Sequence, residues 1–187
     1  MGIWIMMLPC IGLALDDFIL MMGKVATLKD LTTEKTMAYA SIFGSVNLAA
    51  ALIGYLIALL FGGLLVVRVN AMICSLIFLL LGMWFVHKAL TRKGIVERLD
   101  LNFNWKQCAK MAMLTNITTI FYGMANGMMG SSLILLLLCA YLTCFVAVFA
   151  ALRIGYAYGY RFGRGIQGIG GALLLLMALS VWLKFLG

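Results

Sequence analysis

Charge is the scarce commodity in this chain. Only 11% of the 187 residues are charged, six of them acidic, and there is one histidine. Surface that poor in charge does not suit a soluble domain of this size. A single His87, with no HExxH, no Ser-His-Asp grouping and no P-loop, leaves nothing from which to build a familiar enzyme site. The five cysteines (Cys10, Cys74, Cys108, Cys139, Cys144) are scattered without a CxxC pair. They read as small apolar packing residues rather than a disulfide framework or thiolate metal centre. No Lys or Arg precedes Lys24, so the positive start of a secretory signal is missing. Met6 stands where myristoylation wants Ser or Thr.

What is present is hydrocarbon. Apolar residues make up 65% of the chain, and mean hydropathy is +1.12. Six apolar runs, at 3–23, 37–61, 70–88, 111–130, 132–154 and 168–186, each suffice for about 20 residues of helix across about 30 Å of bilayer core. The spacing predicts an all-α integral membrane protein with six transmembrane helices. The uncharged join at Gly130-Ser131-Ser132 predicts a tight hairpin between the fourth and fifth.

Basic residues set the expected orientation. Lys24, Lys29 and Lys35 follow the first run; Lys88, Arg92, Lys93, Arg98, Lys106 and Lys110 follow the third; Arg153, Arg161 and Arg164 follow the fifth. Only Arg68 and Lys184 fall on the other side. The positive-inside rule makes the first side cytoplasmic, with both termini outside, in the plasma (inner) membrane. The net charge of +8 then reflects topology and anionic lipid, and needs no nucleic acid.

The halves echo each other. Ile53-Gly54-Tyr55 matches Ile154-Gly155-Tyr156 at an offset of 101, Trp84 matches Trp182 at 98, and Asp16 meets Thr118 at 102. Three spans per unit force the second to be inverted. The expected plan is a first triplet at 1–92, a basic cytoplasmic linker at 93–110 and a second triplet at 111–187. Inverted repeats place substrate near the midplane between them.

Two carboxylates stand in the oily run Gly12-Leu-Ala-Leu-Asp16-Asp17-Phe18. An acid at membrane depth costs roughly 2.5–3.5 kcal/mol, so a functional reading is the default. Asp16 lies eight residues before Lys24, or about 12 Å along a helix, too deep for a short side chain to reach water. It reads as a cation ligand or proton carrier, against a structural Asp bonded to a neighbouring helix. Asp17 is turned about 100° from it, so the two should not face one ion directly. The fourth run is the polar one: Thr115, Thr118, Tyr122 and Asn126 form a stripe, flanked by Asn116 and Thr119. These could supply neutral oxygens or merely interhelical hydrogen bonds. Asn47, alone in an apolar second run, is a further candidate. Gly163-Arg164-Gly165-Ile-Gln-Gly168 spells a dinucleotide fingerprint but lies between spanning helices, the wrong context. Paired methionines (Met6-Met7, Met21-Met22, Met128-Met129) admit a Cu(I) path, although Met is also a common packing filler.

Asp16-Asp17-Phe18 with Gly23-Lys24 and Ala26-Thr27-Leu28 resembles the opening of the MntP-type manganese efflux pumps. Ile42-Phe43-Gly44-Ser45-Val46-Asn47 and Leu52-Ile53-Gly54 resemble that family's second helix, and Phe78-Leu-Leu-Leu-Gly82 its third. Gly159-Tyr-Arg-Phe-Gly163 and Gly170-Gly171-Ala are similar to the approach to its sixth. The resemblance implies export of Mn²⁺ as substrate, with no resident cofactor and with carboxylates in helices one and four. Here Thr118 stands at the helix-four aspartate and Asn47 at the helix-two glutamate, and Asp17 replaces an alanine.

The expected metal ligands are therefore Asp16, Asp17, Asn47, Asn116, Thr118 and Thr119, with Thr115, Tyr122 and Asn126 along the pathway. Mn²⁺ favours such oxygens, although one carboxylate would leave the loaded site at net +1 in an apolar medium. Exporting two charges against 100 mV costs about 4.6 kcal/mol, which exchange for protons on a desolvated carboxylate could offset. Two other classes fit the same residues: an exporter of another solute, and a non-transporting paralogue or assembly partner. Oligomeric state is open, a homo-oligomer included.

Overall fold

The computed structural model describes residues 3–25, 32–62, 67–91, 105–158 and 163–186. Among these the chain is entirely helical: α1 (Ile3–Val25), α2 (Thr33–Gly62), α3 (Val67–Thr91), α4 (Trp105–Thr115), α5 (Ile117–Met128), α6 (Leu133–Tyr158) and α7 (Gly163–Leu186). Thr33–Phe61, Val69–Thr91 and Leu133–Gly155 are long and apolar enough to cross a membrane, and Gly168–Leu183 is a shorter apolar helix. Leucines such as Leu60, Leu80, Leu90 and Leu183 stand exposed on the outside, where lipid rather than water is the expected solvent. Most of the expected linker, residues 93–104, lies outside the described residues.

The fourth apolar run is two helices rather than one, and its polar side chains explain the break. Asn116 has φ −80° and ψ 5°, the bridge region that ends a regular helix. Its Nδ2 and its backbone N–H both donate to Ala112 O at 2.9 Å. Thr115 Oγ1 donates to Met111 O at 2.8 Å and Thr118 Oγ1 to Thr115 O at 3.1 Å. Thr119 N–H then donates to Asn116 O at 3.0 Å, a tighter i to i+3 turn. Ser, Thr and Asn side chains that bond their own backbone compete with the helix ladder and bend it. The polar stripe drawn along one continuous helix is thus interrupted at Asn116.

After α5 the chain reverses within four residues. Gly130 takes φ +67°, where a Cβ would be strained, and Ser131 N–H donates to Asn126 O at 3.1 Å. The turn is as tight as expected, yet the two helices splay: α5 packs chiefly on α2, and α6 on α1 and α2. α3 packs mainly on α7, α1 also on α7, and α5 on α3.

Two apolar clusters fill the interior. The first joins Cys10, Leu13, Phe78, Tyr122, Cys139 and Leu174, among others, and draws on α1, α2, α3, α5, α6 and α7. The second joins Met21, Met22, Phe43, Ala112, Cys144 and Val148, from α1, α2, α4 and α6.

Candidate functional site

Between these clusters lies a polar layer, visible as the same order on four separate elements. On α1, Asp16 and Asp17 separate Leu13 of the first cluster from Met21 of the second. On α2, Asn47 separates Ala51 from Phe43. Where α4 meets α5, Asn116 and Thr119 separate Tyr122 from Ala112, and on α6 Thr143 separates Ala140 from Cys144. Asp16, Asp17, Asn47, Asn116 and Thr119 are all at most 4% exposed. Five residues singled out in the sequence therefore share one level of the bundle. The other four do not sit within it in the same way. Thr115 and Thr118 are half-buried at its edge. Tyr122 belongs to the first cluster, and Asn126 serves the turn, donating from Nδ2 to Tyr122 O at 3.0 Å while its Oδ1 accepts from Ser131.

Adjacent positions on α1 send the two carboxylates to different neighbours, as a 100° step requires. Asp16 turns to α3. Lys88 Nζ donates to its Oδ1 at 2.7 Å and to its Oδ2 at 2.5 Å, and the same ammonium lies 5.8 Å from the centre of the Phe85 ring. Lys88 is 27% exposed, so its stem runs inward from the basic end of the bundle. Sequence alone places it among the loop cations; α3 continues to Thr91 and keeps it inside a helix.

Asp17 turns instead to α6 and α2. Cys144 Sγ donates to Asp17 Oδ2 at 3.3 Å, and the Asn47 side chain stands beside the same thiol. Asn47 Nδ2 donates to Ala140 O at 2.8 Å. Two oxygens here, Asp17 Oδ1 and Asn47 Oδ1, are buried with no hydrogen-bond partner among the described residues. Buried polar oxygens are nearly always satisfied, so two such oxygens on the side chains that flank one thiol stand out. Across the layer, Thr119 Oγ1 donates to Asn116 Oδ1 at 3.2 Å, so these two hold each other. Among the described residues no three His, Cys, Asp or Glu side chains converge as a metal cluster. Two grooves of about 340 and 410 Å³ open between α1 and α6 and between α3 and α7. Apolar side chains line most of both, which suits lipid chains better than an ion.

The Asp16–Lys88 pair makes a testable demand. Removing one partner of a fully buried ion pair costs about 3–5 kcal/mol, whereas replacing both with uncharged groups can be nearly neutral. With Lys88 27% exposed, the single losses here should be smaller. Asp16→Asn and Lys88→Met singly should each lower thermal stability in detergent, and the double variant should recover most of the loss. Additive losses in that cycle would show the pair to be energetically idle.

Over residues 30–182 the chain matches the family described as "Putative manganese efflux pump". Three similar proteins bear the same description with the name MntP. The one from Methanobrevibacter smithii is 25% identical over 175 residues, 94% of either chain. That from Desulfitobacterium hafniense is 22% identical over all of this chain and 97% of its own length. A third, from Bifidobacterium longum subsp. infantis, is 24% identical over 97% of this chain and 94% of its own. No solved structure matches. With most of its length aligned to that family, the chain belongs to the MntP manganese efflux pump family.

Proposed function

We propose that this protein exports a divalent transition-metal cation, Mn²⁺ first among those to test, from the cytoplasm across the plasma membrane. The observation that carries the reading is the buried layer around Asp16 and Asp17, where one oxygen each of Asp17 and Asn47 has no hydrogen-bond partner among the described residues. Family membership agrees, since the similar proteins are described as manganese efflux pumps.

In this reading two inverted triplets, 1–92 and 111–187, enclose the layer. Exchanging the triplets in thought turns the α1–α6 packing into α5–α2 and the α1–α7 packing into α5–α3, and all four packings occur. That invariance supports the inverted plan. Lys24, Lys35, Lys106, Lys110 and Arg153 would face the cytoplasm and anionic lipid, with both termini outside. Lys88 acts as a tethered cation that neutralises Asp16, leaving Asp17 as the carboxylate that meets the ion. Thr115, Thr118, Asn116 and Thr119, at the break between α4 and α5, line the approach. Interrupted helices at a repeat interface offer ions backbone and side-chain oxygens that a continuous helix would hide. Proton exchange would supply the work against the membrane potential.

Expression in a host lacking its own manganese exporter tests this. The chain should restore growth in elevated Mn²⁺ and lower cell manganese relative to an empty vector. Unchanged manganese with altered export of an organic solute would move the protein to a different substrate class. Unchanged growth and metal content from a membrane-inserted chain would leave a non-transporting paralogue.

A further inference from the structure

The charge problem of the site has a solution in sulfur. A divalent ion held by Asp17 alone leaves a net positive charge in a medium that penalises it heavily. Asp16 cannot supply the missing anion while Lys88 sits on both of its oxygens. Cys144 can. It is fully buried, its Sγ lies 3.3 Å from Asp17 Oδ2, and it stands beside Asn47. The two orphaned oxygens, Asp17 Oδ1 and Asn47 Oδ1, belong to the same pair of side chains that flank it.

We propose that Asp17, Asn47 and Cys144 form a mixed oxygen–sulfur site that selects a thiophilic divalent cation of the Zn²⁺ and Cd²⁺ type over Mn²⁺. The inference rests on the export reading only for its route to the membrane interior, and at this site it replaces Mn²⁺ with a zinc-like ion as the preferred cation; binding itself stands apart from transport. When the metal enters, the Cys144 S–H bond gives way to a sulfur–metal bond and the proton leaves to solvent. One carboxylate, one thiolate and one divalent ion then sum to zero. Three protein donors leave a fourth position for water, the open arrangement that catalytic zinc sites keep. Thiolate favours zinc-like ions, whereas manganese prefers an all-oxygen shell. The sequence hides this because Cys144 sits in an apolar run with no second cysteine or histidine at ligand spacing.

Cd²⁺ alone serves as the probe, because cadmium–thiolate bonds absorb in the ultraviolet. The experiment uses full-length protein in detergent in which Cys10, Cys74, Cys108 and Cys139 are replaced by Ala. One Cd²⁺ per chain should produce the charge-transfer band, and Zn²⁺ should abolish it at concentrations where Mn²⁺ does not. Cys144→Ser should remove the band and Asp17→Asn should weaken Cd²⁺ binding by about tenfold or more. Should the four-alanine background fail to fold, isothermal titration of Zn²⁺ into the wild-type chain against Cys144→Ser carries the same comparison. Absence of the band, its survival in Cys144→Ser, or equal competition by Mn²⁺ would overturn the proposal. Export fails separately: Cd²⁺ binding without metal efflux from cells sinks transport and keeps the site, and manganese efflux unchanged in Cys144→Ser, without a Cd²⁺ band, does the reverse.

Discussion

Asp17→Asn should abolish the divalent-cation tolerance that the chain confers while leaving the fold as stable as before, or more so. The two effects have one cause. Asp17 is buried, one carboxylate oxygen accepts only from a thiol, and the other has no hydrogen-bond partner among the described residues. A charge so placed costs folding free energy, and it is retained only if something else needs it. The amide keeps the shape and can still accept from Cys144, but it cannot balance a cation. Transport should fall at least tenfold, since groups that merely orient metal ligands already account for 10–100-fold in affinity, on the order of that range. The melting temperature in detergent should hold or rise. Asp17→Glu, with its charge kept and one methylene added, should retain part of the activity. The measurement pairs metal efflux with a thermal melt on the same preparations. Full efflux with Asn at this position would make Asp17 a structural residue and hand the ion to Asp16. A drop in both readouts would reduce the site to a folding requirement.

Much of this architecture can be read from the residues. Five of the six apolar runs locate a helix to within about five positions, and polar residues such as Thr33 and Thr91 carry α2 and α3 beyond their runs, whereas the fourth run is two helices, α4 and α5. Burial is legible too, since the carboxylates set amid apolar neighbours do lie inside the bundle. Direction around the helix gives the divergence of Asp16 and Asp17. Partners are another matter. Lys88 is 72 residues from Asp16 and Cys144 is 127 from Asp17, and no periodicity links them. A lysine near a run's end reads as a loop cation, and a lone cysteine reads as packing. The break at Asn116 was present in the letters Thr115-Asn116-Ile117-Thr118-Thr119, a cluster of side chains that bond their own backbone. Reading them as ligands hides that they also end a helix.

Gly123→Ala and Gly54→Ala should be the two most damaging single methyls among the described residues. A Cβ at Gly123 would be driven into the carbonyl of Ala51, and one at Gly54 into the carbonyl of Ile120. These two glycines let α5 and α2 approach backbone to backbone, the close crossing that membrane helices use in place of a hydrophobic drive. A clash with a flexible side chain can relax, but main chain on both sides forces the helices apart. The cost should exceed the roughly 1–3 kcal/mol usual for overpacking, with loss of membrane-inserted monodisperse protein on size exclusion. Gly155, offset from Gly54 by 101 residues, would set its Cβ 2.9 Å from Met22 O where α6 crosses α1. Gly155→Ala should therefore hurt less than Gly123→Ala but in the same way, because main chain of α1 also faces its Cβ, at a longer distance. Gly168→Ala provides the contrast: nothing lies within 4 Å of its Cβ, and alanine favours a helix over glycine by about 1 kcal/mol. It should leave stability unchanged or raised. If Gly123→Ala behaves like Gly168→Ala, α2 and α5 are not in backbone contact, and the polar layer that their crossing helps to position loses one of its walls.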